Sequence, residues 1–270
     1  MTYKRDRWVR NLHKEHKTRS IRNYLLVGDI HGCADELKQL LDLAKFDPTQ
    51  DFLIPVGDLG DRGPDTPEVF RLILDLYFEN DACLPVLGNH DYKLLRYFKN
   101  GKGLVSNGTR KAITQFEEQY TDFQAGFKRQ IISFLENLPI IIETSQFIAV
   151  HGAYNSITEK DGELLSFALY GQTTGNKDED GYPERSLEWI RHYDGHKDIV
   201  HGHIVVDPCP EINKAKRAKV INLDGGCVFG HDLVGITYPN REVFRVPAKQ
   251  TYYGQKGNRA YTRDQEYNSQ

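Results

Sequence analysis

The sequence predicts an α/β fold in which two mixed β-sheets are flanked by helices. Three observations support it: apolar runs alternate with helically spaced apolar residues in the first third, residues 92–138 have a mainly helical pattern, and short strands alternate with turns in the final third. The chain has 270 residues, of which 39% are apolar, enough to bury the core of one large domain.

The first third predicts a β-α-β-α-β order. Pro67 suits the first turn of the second helix, whereas the prolines at 55 and 85 weaken ladder pairing in the second and third strands. The predicted elements are strands at 24–27, 52–56 and 84–87 and helices at 35–45 and 67–78.

The middle segment predicts a helical excursion beside the sheet, with breaks at 100–103 and near Asp122. Residues 153–197 are polar and rich in turn formers, and they are unusually long for an idle loop. The remaining strands, of which the last four are expected to supply a second sheet, are predicted at 140–142, 147–150, 199–200, 219–223, 233–236 and 242–246.

The two ends of the chain differ from this domain, which we place at residues 23–250. Residues 1–22 are rich in Lys and Arg and have few apolar side chains, which favours a solvated or partly helical leader. A basic arm that holds a polyanionic substrate is the alternative. Residues 251–270 are polar and predict a disordered tail.

Composition limits the function classes. A formal net charge of −3 argues against a nucleic-acid binder that works by overall positive charge, although a local basic patch stays open. The four cysteines are far apart in sequence and form no CxxC pair, which favours reduced thiols. No apolar segment approaches the length of a membrane span and no signal-peptide pattern is found, so we expect a cytoplasmic protein without membrane partners.

Polar side chains follow several predicted strands. A single aspartate at such a junction often caps the next helix, but Asp29 and His31 lie on one turn, and neither a cap nor a turn requires the histidine. A carboxylate and an imidazole so placed can chelate a divalent cation. Asp58 ends the next strand, and a carboxylate can bridge two cations.

A second ion would be bound by Asp58 together with Asn89, His151 and His203. The sequence therefore predicts two octahedral or near-octahedral metal sites that share Asp58. Mixed carboxylate, amide and imidazole ligands suit manganese, iron, nickel, cobalt or zinc, and the share of hard oxygen ligands favours Mn²⁺.

Two adjacent cations lower the pKa of bound water and clamp the oxygens of an in-line displacement at phosphorus, which predicts phosphoester hydrolysis by a metal-activated hydroxide. Arg62 could hold the phosphate bidentately, or could form only a surface ion pair. His90 could protonate the leaving oxygen while Asp61 accepts a hydrogen bond from its other ring nitrogen. His90 could instead be only a structural support.

These motifs resemble those of the calcineurin-like metallophosphoesterases, in the phosphoprotein-phosphatase branch, over about residues 24–203. The resemblance implies a β-sandwich of two mixed sheets flanked by helices, with metal ligands at the six positions named above, a His90–Asp61 general-acid pair and Arg62 as the phosphate clamp. His201 stays outside the implied ligand set. The motifs are Gly28-Asp29-Ile30-His31-Gly32, Gly57-Asp58-Leu59-Gly60-Asp61-Arg62-Gly63, Gly88-Asn89-His90-Asp91, His151-Gly152 and Gly202-His203.

A narrower resemblance lies in residues 167–175, 226–230 and 246–253. These segments are similar to those of symmetrical bis(5'-nucleosyl)-tetraphosphatase-like proteins and of the phosphatase domain of bacterial polynucleotide kinase-phosphatase. They imply a nucleotide or polynucleotide substrate, such as a dinucleoside tetraphosphate or an RNA-end phosphate. A protein Ser/Thr phosphatase and a non-catalytic binding scaffold remain alternatives.

Overall fold

The structure is a computed structural model that describes residues 9–12, 21–101, 106–119, 126–154, 161–178, 181 and 183–254. Its architecture is built on two mixed β-sheets. The smaller has the strand order β12-β11-β2-β3, in which β2 and β3 are parallel and the other neighbours are antiparallel. Its strands are β2 (Asn23–Val27), β3 (Asp51–Pro55), β11 (Asp232–Tyr238) and β12 (Val243–Pro247).

The larger sheet has the order β1-β4-β5-β8-β10-β9. Parallel pairing joins β1 to β4, β5 to β8 and β8 to β10, whereas β4–β5 and β10–β9 are antiparallel. The strands are β1 (Val9–Asn11), β4 (Ile141–Glu143), β5 (Phe147–Val150), β8 (Asp198–His201), β9 (Glu211–Lys214) and β10 (Lys219–Asn222).

Helices flank both sheets and form the predicted excursion in the middle of the chain. They are α1 (Ala34–Leu43), α2 (Thr66–Leu74), α3 (Asn89–Asn100), α4 (Asn107–Gln119), α5 (Phe127–Asn137), α6 (Asp161–Tyr170) and α7 (Trp189–His192). One π-helical turn, Asp75–Glu79, extends α2. None of the helices in the part of the chain described here is long and apolar enough to cross a membrane.

Aromatic side chains join the two sheets at the core. The ring of Phe147 on β5 contacts Tyr24 on β2 and Tyr238 on β11, with centroid distances of 5.5 and 4.8 Å. The Tyr238 hydroxyl donates a hydrogen bond of 2.9 Å to Oδ2 of Asp198 on β8. The predicted two-sheet α/β fold is thus confirmed.

The third strand predicted for the first third is absent as a strand. The chain at 84–87 runs beside β3, and Leu84 and Val86 donate backbone hydrogen bonds to Leu53 and Pro55, but a single bridge at Cys83 is the only β-pairing described there. The next ladder bond would run from the N–H of residue 55 to the Leu84 carbonyl, and Pro55 has no N–H to donate, so the ladder stops there.

The sequence predicts that the final third supplies a second sheet, but the structure divides its strands between the two sheets. Its strands β8, β9 and β10 join the larger sheet, and β11 and β12 join the smaller one. The polar segment at 153–197 also contains regular structure: α6, α7 and a hairpin of β6 (Gln172–Lys177) and β7 (Pro183–Ser186).

Both ends of the chain contribute more order than predicted. Val9–Asn11 pairs with β4, and Leu12 is buried. Tyr252 donates its backbone N–H to the Val228 carbonyl at 3.1 Å and its hydroxyl to Glu36 at 2.6 Å. The predictions for residues 1–8, 13–20 and 255–270 lie outside the described residues.

Candidate active site

The site lies where strands of both sheets end. Asp29 follows β2, and Asp58 follows β3 in the smaller sheet, while His151 and His203 follow β5 and β8 in the larger sheet. Asn89 is the first residue of α3. Because the two sheets pack together, residues that are far apart in sequence meet at one edge.

The first group of ligand atoms belongs to Asp29, His31 and Asp58, whose atoms all lie within 4.8 Å of one another. His31 Nδ1 lies 3.0 Å from the Gly60 carbonyl oxygen. Since a carbonyl only accepts hydrogen bonds, this contact requires the proton on Nδ1. The other ring nitrogen, Nε2, therefore carries the lone pair and is the atom that could ligate a cation; it lies 3.5 Å from Asp58 Oδ2.

The second group belongs to Asp58, His151 and His203, again within 4.8 Å of one another. His151 Nδ1 lies 2.9 Å from the Val56 carbonyl oxygen, which leaves Nε2 as the ligand atom. Asn89 Oδ1 lies 2.9 Å from His151 Nε2 and 3.1 Å from His203 Nδ1. The amide oxygen and both imidazoles thus converge on one point.

Asp58 connects the two groups. Its Oδ2 lies 3.5 Å from His31 Nε2, and its Oδ1 lies 3.5 Å from His151 Nε2. Each oxygen therefore faces a different group, an arrangement in which the carboxylate can bridge two cations. His203 Nε2 is buried and has no hydrogen-bond partner in the part of the chain that the structure describes. This donor set fits two divalent cations that share Asp58.

The charges at the site also suit cations. Burial raises the pKa of Asp29 well above its usual value, and the nearby carboxylates of Asp224 and Asp58 raise it further. Burial lowers the pKa of His31 to about 3 and that of His203 well below its usual value. Neutral imidazoles are the form that ligates a metal, and a bound cation would relieve the repulsion between the buried carboxylates.

Asp61 and His90 form a buried pair beside these groups. His90 Nδ1 lies 2.8 Å from Asp61 Oδ2, and the same oxygen accepts a 2.6 Å hydrogen bond from the Thr109 hydroxyl. The backbone N–H of His90 donates to Asp58 Oδ1 at 2.9 Å. Burial lowers the pKa of His90, and the carboxylates of Asp58 and Asp61 oppose that shift. The carboxylate orients the ring so that Nε2 can act in proton transfer.

Arg62 lies at the metal groups rather than in a surface ion pair. Its Nη1 is 2.9 Å from His31 Nε2. Its guanidinium carbon lies 5.5 Å from the ring centroid of Phe229 and 6.0 Å from that of Tyr253. Lys111 Nζ donates to the Arg62 carbonyl at 3.1 Å. A guanidinium held by two aromatic rings is available to a phosphate at this edge.

Sequence reasoning missed Asp224, which follows β10. It is buried, its charge raises the pKa of Asp29, and it accepts the Gly226 N–H through Oδ1 at 3.0 Å. Burial raises its pKa to about 7. The signal was present, because Asp224 also closes an apolar run, but there the aspartate precedes the glycine instead of following it.

Sequence reasoning also missed two basic side chains near the site. Arg185 on β7 lies close enough for its charge to lower the pKa of His203 and of His151, in both cases after the larger effect of burial. Burial lowers the pKa of Lys93 on α3, which also senses the charges of Asp58 and Arg185. Neither residue belongs to a strand-end motif, so only the fold reveals its proximity.

His201 belongs to neither ligand group among the described residues. It is buried, its Nδ1 lies 3.1 Å from the Gly202 carbonyl oxygen, and its ring contacts Trp189 edge-on with a centroid distance of 5.7 Å. Its exclusion from the ligand set therefore stays a prediction.

Comparison with known proteins reveals similarity along most of the chain. A family profile described as calcineurin-like phosphoesterase matches residues 23–235. Two proteins named bis(5'-nucleosyl)-tetraphosphatase PrpE, of the asymmetrical type, are similar to it. The one from Anoxybacillus flavithermus is 31% identical, covering 86% of this chain and 97% of its own, and the one from Bacillus subtilis is 33% identical, covering 85% and 96%.

Among solved structures, one provisionally described as a diadenosine tetraphosphatase aligns with a TM-score of 0.60 at 25% identity, and the alignment covers 89% of this chain and 97% of the other. The names of these relatives specify nucleotide substrates, which agrees with the substrate class that the narrower resemblance implies. The bacterial relatives are named as asymmetrical tetraphosphatases, whereas the narrower resemblance is to symmetrical ones.

Proposed function

Because the chain belongs to the calcineurin-like phosphoesterase family, we propose that it hydrolyses phosphate anhydrides or esters of nucleotides at a centre of two divalent cations. As a member of that family, with tetraphosphatases among its relatives, it is a phosphoric ester or anhydride hydrolase. The observation that carries the proposal is the pair of buried ligand groups that share Asp58, beside the His90–Asp61 pair.

Each residue has a distinct part in the proposed reaction. Asp29, His31 and Asp58 would hold one cation, and Asp58, Asn89, His151 and His203 the other. When bound, the cations would supply Lewis-acid stabilisation of the charge that develops on the phosphoryl oxygens and would favour deprotonation of the attacking water.

Arg62 and His90 act on opposite parts of the substrate. Arg62 binds the non-bridging phosphoryl oxygens through two N–H groups, which orients the phosphorus for in-line attack. As the bond from water oxygen to phosphorus forms and the bond to the leaving oxygen breaks, His90, in the imidazolium form that Asp61 stabilises, gives its Nε2 proton to that leaving oxygen, and the proton lost by the attacking water passes to the solvent. Asp61 positions His90 through Nδ1 at 2.8 Å.

A substrate with several phosphates suits the charge around the site. The names of the bacterial relatives specify bis(5'-nucleosyl) tetraphosphates. In addition to Arg62, the cations Lys93 and Arg185 interact electrostatically with the ligand residues. They could bind phosphates beyond the one that reacts. We therefore propose a dinucleoside polyphosphate as the substrate, with RNA-end phosphates as the second candidate.

The test is a substrate panel with protein that has been stripped of metal and reloaded with manganese, iron, nickel, cobalt or zinc. Diadenosine tetraphosphate, a 2',3'-cyclic nucleotide, 3'-phosphorylated RNA and a phosphopeptide are compared at equal concentration. We expect the highest kcat/KM on diadenosine tetraphosphate, and manganese as the most effective metal. Asymmetrical cleavage yields ATP and AMP, whereas symmetrical cleavage yields two ADP, so chromatography of the products identifies the type.

Two outcomes would contradict the proposal. Activity confined to the phosphopeptide would make the protein a protein phosphatase. A metal-loaded protein that hydrolyses neither the panel nor p-nitrophenyl phosphate would be a binding scaffold.

We also propose that residues 1–22 form a basic leader to the catalytic domain, which β1 anchors through its pairing with β4. Removal of residues 1–8 keeps that strand. If the leader holds polyanions, this truncation should raise KM for RNA but not for p-nitrophenyl phosphate. A cytoplasmic location, inferred from the expected reduced thiols, can be checked by cell fractionation.

A further inference from the structure

A second set of ligand-type side chains lies outside the site described above. Cys33 Sγ, Cys227 Sγ and a carboxylate oxygen of Glu36 lie within 4.8 Å of one another, and all three residues are at most 1% exposed. We propose that this Cys33–Glu36–Cys227 cluster is a third metal site, which takes a borderline-soft divalent cation such as Zn²⁺.

The hydrogen bonds of Glu36 show which of its two carboxylate oxygens could bind a cation. Its Oε1 accepts the Lys249 backbone N–H at 3.0 Å and the Tyr252 hydroxyl at 2.6 Å. Its Oε2 is buried and has no hydrogen-bond partner within the described part of the chain. The Lys249 ammonium lies 2.6 Å from Asp35 Oδ2 instead. A buried carboxylate oxygen is costly unless it is paired or coordinates a metal.

The ligand types and distances fit a zinc ion. Zinc binds thiolate sulfur at about 2.3 Å and carboxylate oxygen at about 2.0–2.2 Å, so ligand atoms at tetrahedral angles lie about 3.6–3.8 Å apart. The cluster atoms lie within 4.8 Å of one another, so side-chain shifts of at most about 1 Å would bring them to these distances. Two thiolates also distinguish this cluster from the oxygen and imidazole ligands around Asp58, because sulfur selects softer metals.

A disulfide between the two cysteines is the competing interpretation. It would consume both thiols but would leave Glu36 Oε2 without a partner, whereas a cation satisfies all three groups. The cluster geometry therefore favours the metal over the disulfide.

The position of the cluster suggests a structural role. Cys33 is the N-cap residue of α1 and comes just after the turn that carries His31. Cys227 begins the 3-10 turn that follows Asp224, and Glu36 is bonded to the 249–252 segment. One ion here would join three segments that border the catalytic centre.

Cobalt spectroscopy tests the proposal. Protein stripped of metal is titrated with Co²⁺, and the near-ultraviolet thiolate-to-cobalt charge-transfer absorption is recorded. The ligands around Asp58 contain no sulfur, so they cannot produce this band. We expect the band in the wild-type protein, its loss in Cys33→Ser and in Cys227→Ser, and its retention in Cys83→Ser and Cys209→Ser, which replace the other two buried cysteines. Elemental analysis should also find one zinc fewer per chain in Cys227→Ser.

The wild-type spectrum decides the question even if a variant folds poorly. The proposal is overturned if the wild-type protein binds cobalt without the charge-transfer band, or if the band persists in Cys33→Ser. A Cys33–Cys227 disulfide in protein purified without reductant, found by peptide mass spectrometry together with absence of the band, would also overturn it. Glu36→Gln should weaken zinc retention by at least tenfold, and unchanged retention would contradict a three-ligand site.

Discussion

At the scale of single residues, backbone conformation at the site is unusual. His31, Asp58 and His203 have positive φ angles of 47°, 50° and 71°, and Asp61 and Arg62 have φ angles of 77° and 72°. Each such non-glycine residue costs about 1 kcal/mol or more. These tight turns direct the side chains towards a common point. The rest of the folded structure has to offset the energy cost of the turns.

Replacement of His90 tests proton transfer. His90→Asn should lower kcat by about 10²- to 10⁴-fold for substrates with poor leaving groups, because the leaving oxygen then departs without a proton. The loss for p-nitrophenyl phosphate, whose leaving group is good, should be much smaller. Steady-state kinetics on both substrates gives the ratio. An equal loss on both would indicate a structural role for His90.

Replacement of Arg62 tests the phosphate clamp. Arg62→Lys keeps the charge but loses the two-pronged hydrogen bonding and the contacts with Phe229 and Tyr253. We expect kcat/KM to fall by about 10-fold or more in Arg62→Lys and further in Arg62→Ala, while metal content stays at the wild-type level. The control is Arg191→Lys on the exposed side of α7, which should leave kcat/KM unchanged. Wild-type kcat/KM in Arg62→Lys would contradict bidentate binding.

At the scale of elements, helix α4 holds the loop that carries Asp61 and Arg62. The Gln115 side chain donates to the carbonyls of Gly63 and Pro64 at 3.1 and 2.6 Å, and Thr109 donates to Asp61 at 2.6 Å. The helical excursion is therefore part of the candidate active site. The sequence predicted its helices but not this contact, because nothing in a local pattern specifies which loop a helix face meets.

Thr109 should act as a positioning residue for the His90–Asp61 pair. Thr109→Val has nearly the same shape but cannot donate a hydrogen bond to Asp61 Oδ2, so kcat should fall by about 10-fold with little change in KM. Thr109→Ser keeps the hydroxyl and should restore most of kcat. A fall of equal size in both variants would point to packing instead.

An ion-pair network joins α1 to α2. Glu68 lies 2.6 Å from Lys38 Nζ on α1 and 2.7 Å from Arg71 Nε on its own helix. The hydrogen bond from Arg71, opposed by partial burial and aided by Lys38, lowers the pKa of Glu68 from 4.5 to about 2. The stabilisation is therefore fully present above pH 4.5 and is lost as pH falls towards 2.

Glu68→Gln measures that network. Near neutral pH it should reduce the free energy of unfolding by about 1 kcal/mol, a modest value because Lys38 and Arg71 are about half exposed and solvent screens them. The difference from the wild-type protein should vanish near pH 2, as measured by urea unfolding at a series of pH values. Glu118→Gln, an exposed position on α4, serves as the control. A difference that persists at pH 2 would rule out the ionic origin.

At the scale of the whole molecule, the candidate metal centre lies across the two sheets. Asp29 and Asp58 come from the smaller sheet, whereas His151 and His203 come from the larger one. Cations bound to both sets would link the sheets in the native state only. Metal binding should consequently stabilise the entire domain rather than a local loop.

Chelation tests this coupling. Adding Mn²⁺ at about 100 times its dissociation constant to the stripped protein should raise the free energy of unfolding by about 2.7 kcal/mol per ion. Calorimetry should detect a single transition that moves to higher temperature as one unit. Asp58→Asn, which removes the shared ligand, should lose most of that response. A metal response of wild-type size in Asp58→Asn would contradict the bridging role.

The sequence by itself determined the class of reaction and predicted the residues that we propose carry it. Turn-forming Gly-Asp and Gly-Asn pairs after apolar runs are local signals, so Asp29, Asp58 and Asn89 could be read without any fold. The order of helices and strands could also be predicted, because the spacing of apolar residues is a local signal too. The predicted strand at 84–87 was wrong because Pro55, on the neighbouring strand β3, has no N–H to donate to the Leu84 carbonyl, and a local pattern does not specify that pairing.

Only the tertiary structure decided which distant residues meet. It divided the final third between two sheets, brought Thr109, Asp224 and Arg185 to the strand-end ligands, and placed Cys33 beside Cys227 although they are far apart in sequence. Strand pairing and sheet packing depend on long-range burial that no local pattern encodes. The candidate ligands could therefore be predicted from the chain, whereas the packing of one sheet on the other decided which partners orient them.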